Sequence, residues 1–244
     1  MSASNEALFV GVDAHGSLSK PFFIATLSFN TKGNICLNGV ERLNGVEKAV
    51  EFVLQTNPSV VAIDAPQPLC DKAHEVTFEE GFKACEWAKR GLRECERQLV
   101  KQFGIRCFPT TPTTFASFRQ LILTGWKLYA ELTRHNYRIA DGMRSERHER
   151  WLIEVYPHAT FSALSRVKLH PKTRLIGRMQ RVNILKRYIP NLVKRLRKMP
   201  PCDDELDSIA AALTAYLWWR GECIILGSPH EGGCLVIPKG AWDI

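Results

Sequence analysis

Two short runs of the chain, residues 7–14 (Ala-Leu-Phe-Val-Gly-Val-Asp-Ala) and residues 59–64 (Ser-Val-Val-Ala-Ile-Asp), are largely apolar and carry an aspartate, Asp13 and Asp64, at or next to their ends. An unbroken apolar run of that length, rich in β-branched residues, predicts a strand covered on both faces. Residues 20–29, rich in Phe, Ile and Thr, and residues 35–43 predict two further strands, joined by the turn Asn30-Thr-Lys-Gly-Asn34. The first three strands then form an antiparallel meander. Asn44 is expected to cap a helix to about Gln55, which Asn57-Pro58 ends. A helix at that point lets the second acidic run return parallel to the first. Asp13 and Asp64 would then stand together at the carboxyl ends of neighbouring strands, where sites form in α/β sheets. Two adjacent carboxylates repel unless a cation lies between them, and hard oxygen ligands favour Mg2+ or Mn2+.

A third acidic element follows Pro200-Pro201. Asp203-Asp-Glu-Leu-Asp207-Ser-Ile-Ala-Ala-Ala-Leu opens a predicted helix over 203–220, with Asp203 or a neighbour as its cap. Asp204 and Asp207 are three residues apart and share a face, at the helix end whose dipole favours negative charge. The expected catalytic and metal-binding set is Asp13, Asp64, Asp204 and Asp207, holding two Mg2+ or Mn2+ ions for phosphodiester hydrolysis. A strand over 151–156 carries Glu154, either a further metal ligand or a partner for nearby cations. His158 is a candidate proton relay or phosphate contact, and His15, two residues after Asp13, is another.

Residues 65–150 read as a helical insertion within a single domain spanning 1–244. Helices are predicted from about 78 to 103 and from 112 to 135, around a Pro/Thr loop, with the most mobile part near 138–150. Arg93, Glu96 and Arg97 lie on the first of these helices, facing either the cleft or one another as surface ion pairs. Cys223-Ile-Ile-Leu-Gly and Cys234-Leu-Val-Ile-Pro predict short closing strands.

Charge separates the chain further. Its net charge is +8, yet the stretch between Val155 and Cys202 alone holds twelve Lys/Arg and no Asp or Glu. Apolar residues interleave with these cations, so the stretch predicts folded helices with a basic surface suited to a polyanion. Arg174, Arg178, Arg181, Lys186 and Arg187, joined by Arg93 and Arg97, are the candidate nucleic-acid contacts. Aromatic residues inside the stretch are few, chiefly Phe161 and Tyr188, which favours contact with a duplex backbone over base stacking. No apolar run approaches the roughly 18 residues of a membrane span, and residues 1–6 do not read as a secretory leader. The expectation is a cytoplasmic protein without a membrane partner. The eight cysteines form no C-x-x-C pair, so zinc-ribbon and thioredoxin readings are poor and mostly free thiols are expected.

Val12-Asp13, Val-Ala-Ile-Asp64-Ala-Pro, Arg93-Glu-Cys-Glu96-Arg97, Ile-Glu154-Val-Tyr-Pro-His, Asp-Asp204-Glu-Leu-Asp207-Ser and the closing Ile-Pro-Lys-Gly together resemble domain of unknown function family 429, a group of predicted RNase H-like nucleases. The resemblance runs from about residue 7 to 239. The last helix is also similar to that of RuvC-type Holliday-junction resolvases, whose D-x-x-D pattern supplies two metal ligands. Ser208 stands where alanine is commoner there. The resemblance implies an α/β fold: a ribonuclease H-like mixed five-stranded sheet, flanked by helices, around an acidic metal site. It implies a nuclease acting on DNA or RNA, and it allows a homodimer. Two other readings are a nucleic-acid-binding protein with a vestigial site and a phosphotransferase of the actin-like superfamily. The latter rests on Asp13-Ala-His-Gly16-Ser17, which is faintly similar to a phosphate loop.

Overall fold

The computed structural model describes residues 7–15, 20–30, 32–68, 91–111, 114, 116–141 and 150–240. The expected meander forms as β1 (Phe9–Asp13), β2 (Phe22–Phe29) and β3 (Ile35–Leu43). Helix α1 (Val46–Thr56) leads into β4 (Val60–Asp64). The cap of α1 is Gly45 at φ 86°, not Asn44, and no side chain serves it. Asn57 closes the helix in the left-handed conformation.

Strand β4 pairs parallel with β1, and the register sets Asp13 opposite Asp64. Between β4 and β6 (Arg150–Val155) the described residues form α2 (Glu94–Phe103), α3 (Ala116–Arg134) and β5 (Tyr137–Ile139). Residues 91–93 precede α2, so the helix predicted from 78 begins at Glu94 as far as it is described. Residues 69–90 and 142–149 lie outside the described residues. Strand β5 was not anticipated; three residues between charged neighbours carry too short a pattern to read.

The basic stretch folds into α4 (Pro157–Leu164), α5 (Leu175–Leu185) and the single turn α6 (Leu192–Arg195). Helix α7 (Asp203–Arg220), β7 (Cys223–Ser228) and β8 (Gly233–Pro238) complete the chain. The sheet order is β3-β2-β1-β4-β6-β8-β7, and β5 also pairs with β6. Its first five strands are the expected ribonuclease H-like set, an antiparallel meander continued by parallel strands. The sheet then extends further, because β5 and β8 pair with successive parts of β6.

Helices cover both faces. Val10, Val12, Val61, Ile63 and Leu152 pack against α1 and α3. Phe9, Val60, Ala62, Ile153 and Val155 pack against α7 and the helices of the basic stretch. Helix α7 is buried nearly all round, and its Ala210-Ala-Ala run lies against the sheet. At Gly11 the helix backbone reaches the strand directly. A Cβ there would sit 2.1 Å from the Ala212 nitrogen and 2.2 Å from the Ser208 carbonyl oxygen. That contact fixes the height of α7 above β1, and so where its first turn meets the strand ends.

Gly11→Ala is therefore expected to destabilise the fold by at least about 1–3 kcal/mol, the usual cost of overpacking. Gly39→Ala, where an added Cβ meets nothing within 4 Å, should stay within about 0.5 kcal/mol of the parent. Urea unfolding of the two variants checks the contrast, and equal midpoints would contradict the close approach.

Candidate metal centre and cleft

Side chains alternate between the two faces of a strand. Asp13 shares parity with Phe9 and Gly11, and Asp64 with Val60 and Ala62, so both acids point toward α7. They end adjacent strands in matched register. Asp207, one turn into α7, is buried among the same group, at 4% exposure against 6% for Asp13. Burial holds the Asp13 carboxyl well above the usual carboxylate range, and Asp64, Asp207 and Asp204 add to the effect. Asp64 is raised by burial and then by Asp207. Asp207 is also raised by burial, with Lys172 opposing.

Asp204 lies farther out. His15 Nε2 stands 3.5 Å from Asp204 Oδ2 and 3.7 Å from Asp13 Oδ2. The hydrogen bond from His15 holds the Asp204 carboxyl below its usual range. One donor atom each from Asp13, His15 and Asp204 fall within 4.8 Å of one another, a spacing that could hold a metal ion. Asp13 Oδ2 is buried and lacks a hydrogen-bond partner. A buried carboxylate oxygen without a donor is costly, and a cation would satisfy it. Two carboxylates with an imidazole suit a divalent ion of the Mg2+, Mn2+ or Zn2+ kind.

Lys172 brings a cation to this centre. Its Nζ lies 2.5 Å from Asp207 Oδ2 and 3.9 Å from Asp203 Oδ2. Burial works against its charge, but Asp207, Asp13 and Asp203 outweigh that and raise its pKa. In the sequence Lys172 is one of twelve similar cations, and no local signal separates it from the rest.

Glu154 follows the opposite parity, with Leu152, and its carboxylate is already engaged. Arg93 donates to both its oxygens, at 2.8 and 2.7 Å, and the Gln67 backbone N–H donates to Oε2 at 2.7 Å. Arg93, 3% exposed, also donates to Glu96 at 2.8 Å and to the Gly232 carbonyl at 3.0 Å. Glu96 in turn accepts from the Thr110 N–H. Arg93 is thus an internal tie between α2, β6 and the chain after β4, not a nucleic-acid contact. Arg97 is held by Glu94 and Glu231.

The other predicted contacts divide. Arg174 and Lys186 are exposed. Arg178 donates to the Pro201 carbonyl and Arg187 to the Leu164 carbonyl. Arg181 is buried beneath the surface it was expected to form, bonded to the His170 and Gly177 carbonyls with its guanidinium over Phe161.

A cleft of about 830 Å³ opens beside the acids, lined by Asp64, Asp207, Lys172, Lys168, Arg181 and Arg106 together with Tyr156, His158 and His170. Burial, then Arg181 and Lys172, lowers the His158 pKa. Both effects favour its neutral form. Residues 16–19, which include the Gly16-Ser17 of the phosphate-loop resemblance, lie outside the described residues.

The raised acids have a stability consequence with a definite sign. The unfolded chain releases these protons near the ordinary aspartate value of about 3.9, whereas folded Asp13 and Asp64 hold them to higher pH. The folded state binds more protons in that window, so stability falls as pH rises through it. In chelator the thermal midpoint is expected to decline from the carboxylate range upward. Asp64→Asn should flatten the decline, and saturating Mn2+ should reverse it. A midpoint with the same pH slope in parent and variant would contradict the assignment.

Among the described residues no helix is long and apolar enough to cross a membrane. The six described cysteines are all free thiols. A search of the curated proteins finds no match. A solved structure, T. thermophilus RuvC in complex with Holliday junction substrate, is similar at TM-score 0.47 and 11% identity, over 91% of this chain and 99% of that one. The model of the family described as "Protein of unknown function (DUF429)" matches residues 11–231. With nine-tenths of its length inside that match, the chain belongs to the DUF429 family.

Proposed function

We propose that this protein is a metal-dependent nuclease that hydrolyses phosphodiester bonds in DNA or RNA. The observation that carries the reading is the meeting of Asp13 and Asp64, in register on parallel strands, with Asp207 and Asp204 of α7 above the same face. Asp13, Asp64, Asp204 and Asp207, with His15 as a further donor, would hold one or two Mg2+ or Mn2+ ions. Bound there, such ions would supply an activated water and neutralise charge on the phosphate. Glu154 stands outside the proposed ligand set because Arg93 and Gln67 take both its oxygens.

The chain's own residues supply the rest. Lys172 and Lys168 border the acids from the basic stretch and offer point charges to phosphate oxygens. His158 can accept the proton that the attacking water loses and, as the imidazolium so formed, pass it to the departing sugar oxygen. A strongly basic surface beside buried acids suits a polyanionic substrate.

The test is cleavage of labelled DNA and RNA oligonucleotides with Mn2+ or Mg2+. Asp13→Asn and Asp64→Asn should each lose on the order of 10²–10³-fold in rate, as for removal of one charge-stabilising group. Mn2+ titration by calorimetry should weaken in both variants, while Glu154→Gln should lower the thermal midpoint and leave Mn2+ affinity in place. Binding of nucleic acid with no metal-dependent turnover on any substrate would favour the vestigial-site reading. Undiminished cleavage by Asp13→Asn would overturn the assignment.

A further inference from the structure

Two groups of residues line the cleft. Lys168, His170, Lys172 and Arg181 come from the basic stretch, tied together by the bond from Arg181 Nη1 to the His170 carbonyl at 2.9 Å. Arg106, Tyr156 and His158 form the second group, in which the Tyr156 hydroxyl donates to the Arg106 carbonyl at 3.3 Å. A narrower recess continues past Asp64 and Tyr156 and is lined by Phe108. Phe108 is stacked on Phe118, with ring centroids 4.4 Å apart and planes 12° from parallel. Phe118 nevertheless keeps 37% of its surface exposed. The acids are thus bordered by Lys168, Lys172, Arg106 and Tyr156, with Phe108 in the adjoining recess and Phe118 stacked behind it.

We propose that this cleft takes a single unpaired strand, with phosphates at Lys168 and Lys172 and bases against Tyr156 and the Phe108–Phe118 pair. The inference rests on the nuclease reading for the fate of the strand, and on geometry alone for its binding. In a duplex the base faces are stacked on one another and cannot reach an aromatic ring; only unpaired bases can. A volume of about 830 Å³ lies in the range of sites for single small ligands, enough for a nucleotide or two. The sequence favoured duplex backbone contact because aromatic residues are scarce inside the basic stretch. The fold adds Phe108 and Phe118 from outside that stretch and Tyr156 from its first residue, while Phe161 of the stretch is fully buried.

The experiment is fluorescence anisotropy of labelled oligonucleotides in chelator, so that binding is read without turnover. A single strand is expected to bind at least about 10-fold more tightly than the same sequence as a blunt duplex. Phe118→Ala should weaken single-strand binding by roughly 10- to 100-fold, the worth of one base–aromatic stack, and leave duplex binding alone. Phe118→Trp should retain it, which separates stacking from a folding defect. Lys168→Ala should reduce the salt slope of single-strand binding by about 0.7, one phosphate contact. Duplex binding as tight as single-strand binding, or a well-folded Phe118→Ala that binds like the parent, would overturn the proposal. A protein that prefers single strands but cuts nothing would overturn the nuclease reading and support this one.

Discussion

The backbone of α7 rests on β1 with no side chain between them. Gly11 permits the approach, and the Ala210-Ala-Ala run keeps the rest of the helix low against the sheet. The height of Asp204 and Asp207 above Asp13 and Asp64 follows from that contact. A larger residue at position 11 would lift the helix and carry Asp204 and Asp207 away from Asp13 and Asp64. The fold thus forces four carboxylates together by backbone packing, against their mutual repulsion. Burial raises three of them, and the unpartnered Asp13 Oδ2 marks where the arrangement most lacks a positive charge.

Lys172 and Arg93 meet buried carboxylates in different ways. Lys172 is partly exposed, reaches Asp207 from a loop, and lines the open cleft. It is placed to exchange partners. Arg93 is enclosed between Glu96 and Glu154, donates to both, and ties α2 to the sheet. Removing one member of such a buried group leaves an uncompensated charge. The two positions look alike in a list of basic residues, and only solvent access and partners separate their roles.

Much of the frame was legible in advance. The meander, the return strand, the closing strands and α7 follow from apolar runs, turn residues and helical patterning, which are local signals. The pairing of Asp13 with Asp64 followed from chain order, because a helix between strands favours a parallel return. Glu154 was not legible in the same way. Its strand is covered on both faces, so apolar residues flank it on either parity and nothing local says which face it takes. The conformation of Gly45 and the short β5 were likewise beyond pattern reading. Arg181 lies on a helix whose cations looked uniformly solvated, until packing against Phe161 buried it.

What the sequence by itself determined is the set of elements and the acids at their ends, since strand and helix preferences act between near neighbours. Tertiary structure decided which charges meet. It brought His15 to Asp204, Lys172 to Asp207 and Arg93 to Glu154, over separations of up to 189 residues in the chain. It also set Arg106 at the same cleft as Lys168 and Lys172. Such contacts depend on where the close approach at Gly11 and the sheet register place each strand end, and neither is encoded in a window of neighbouring residues.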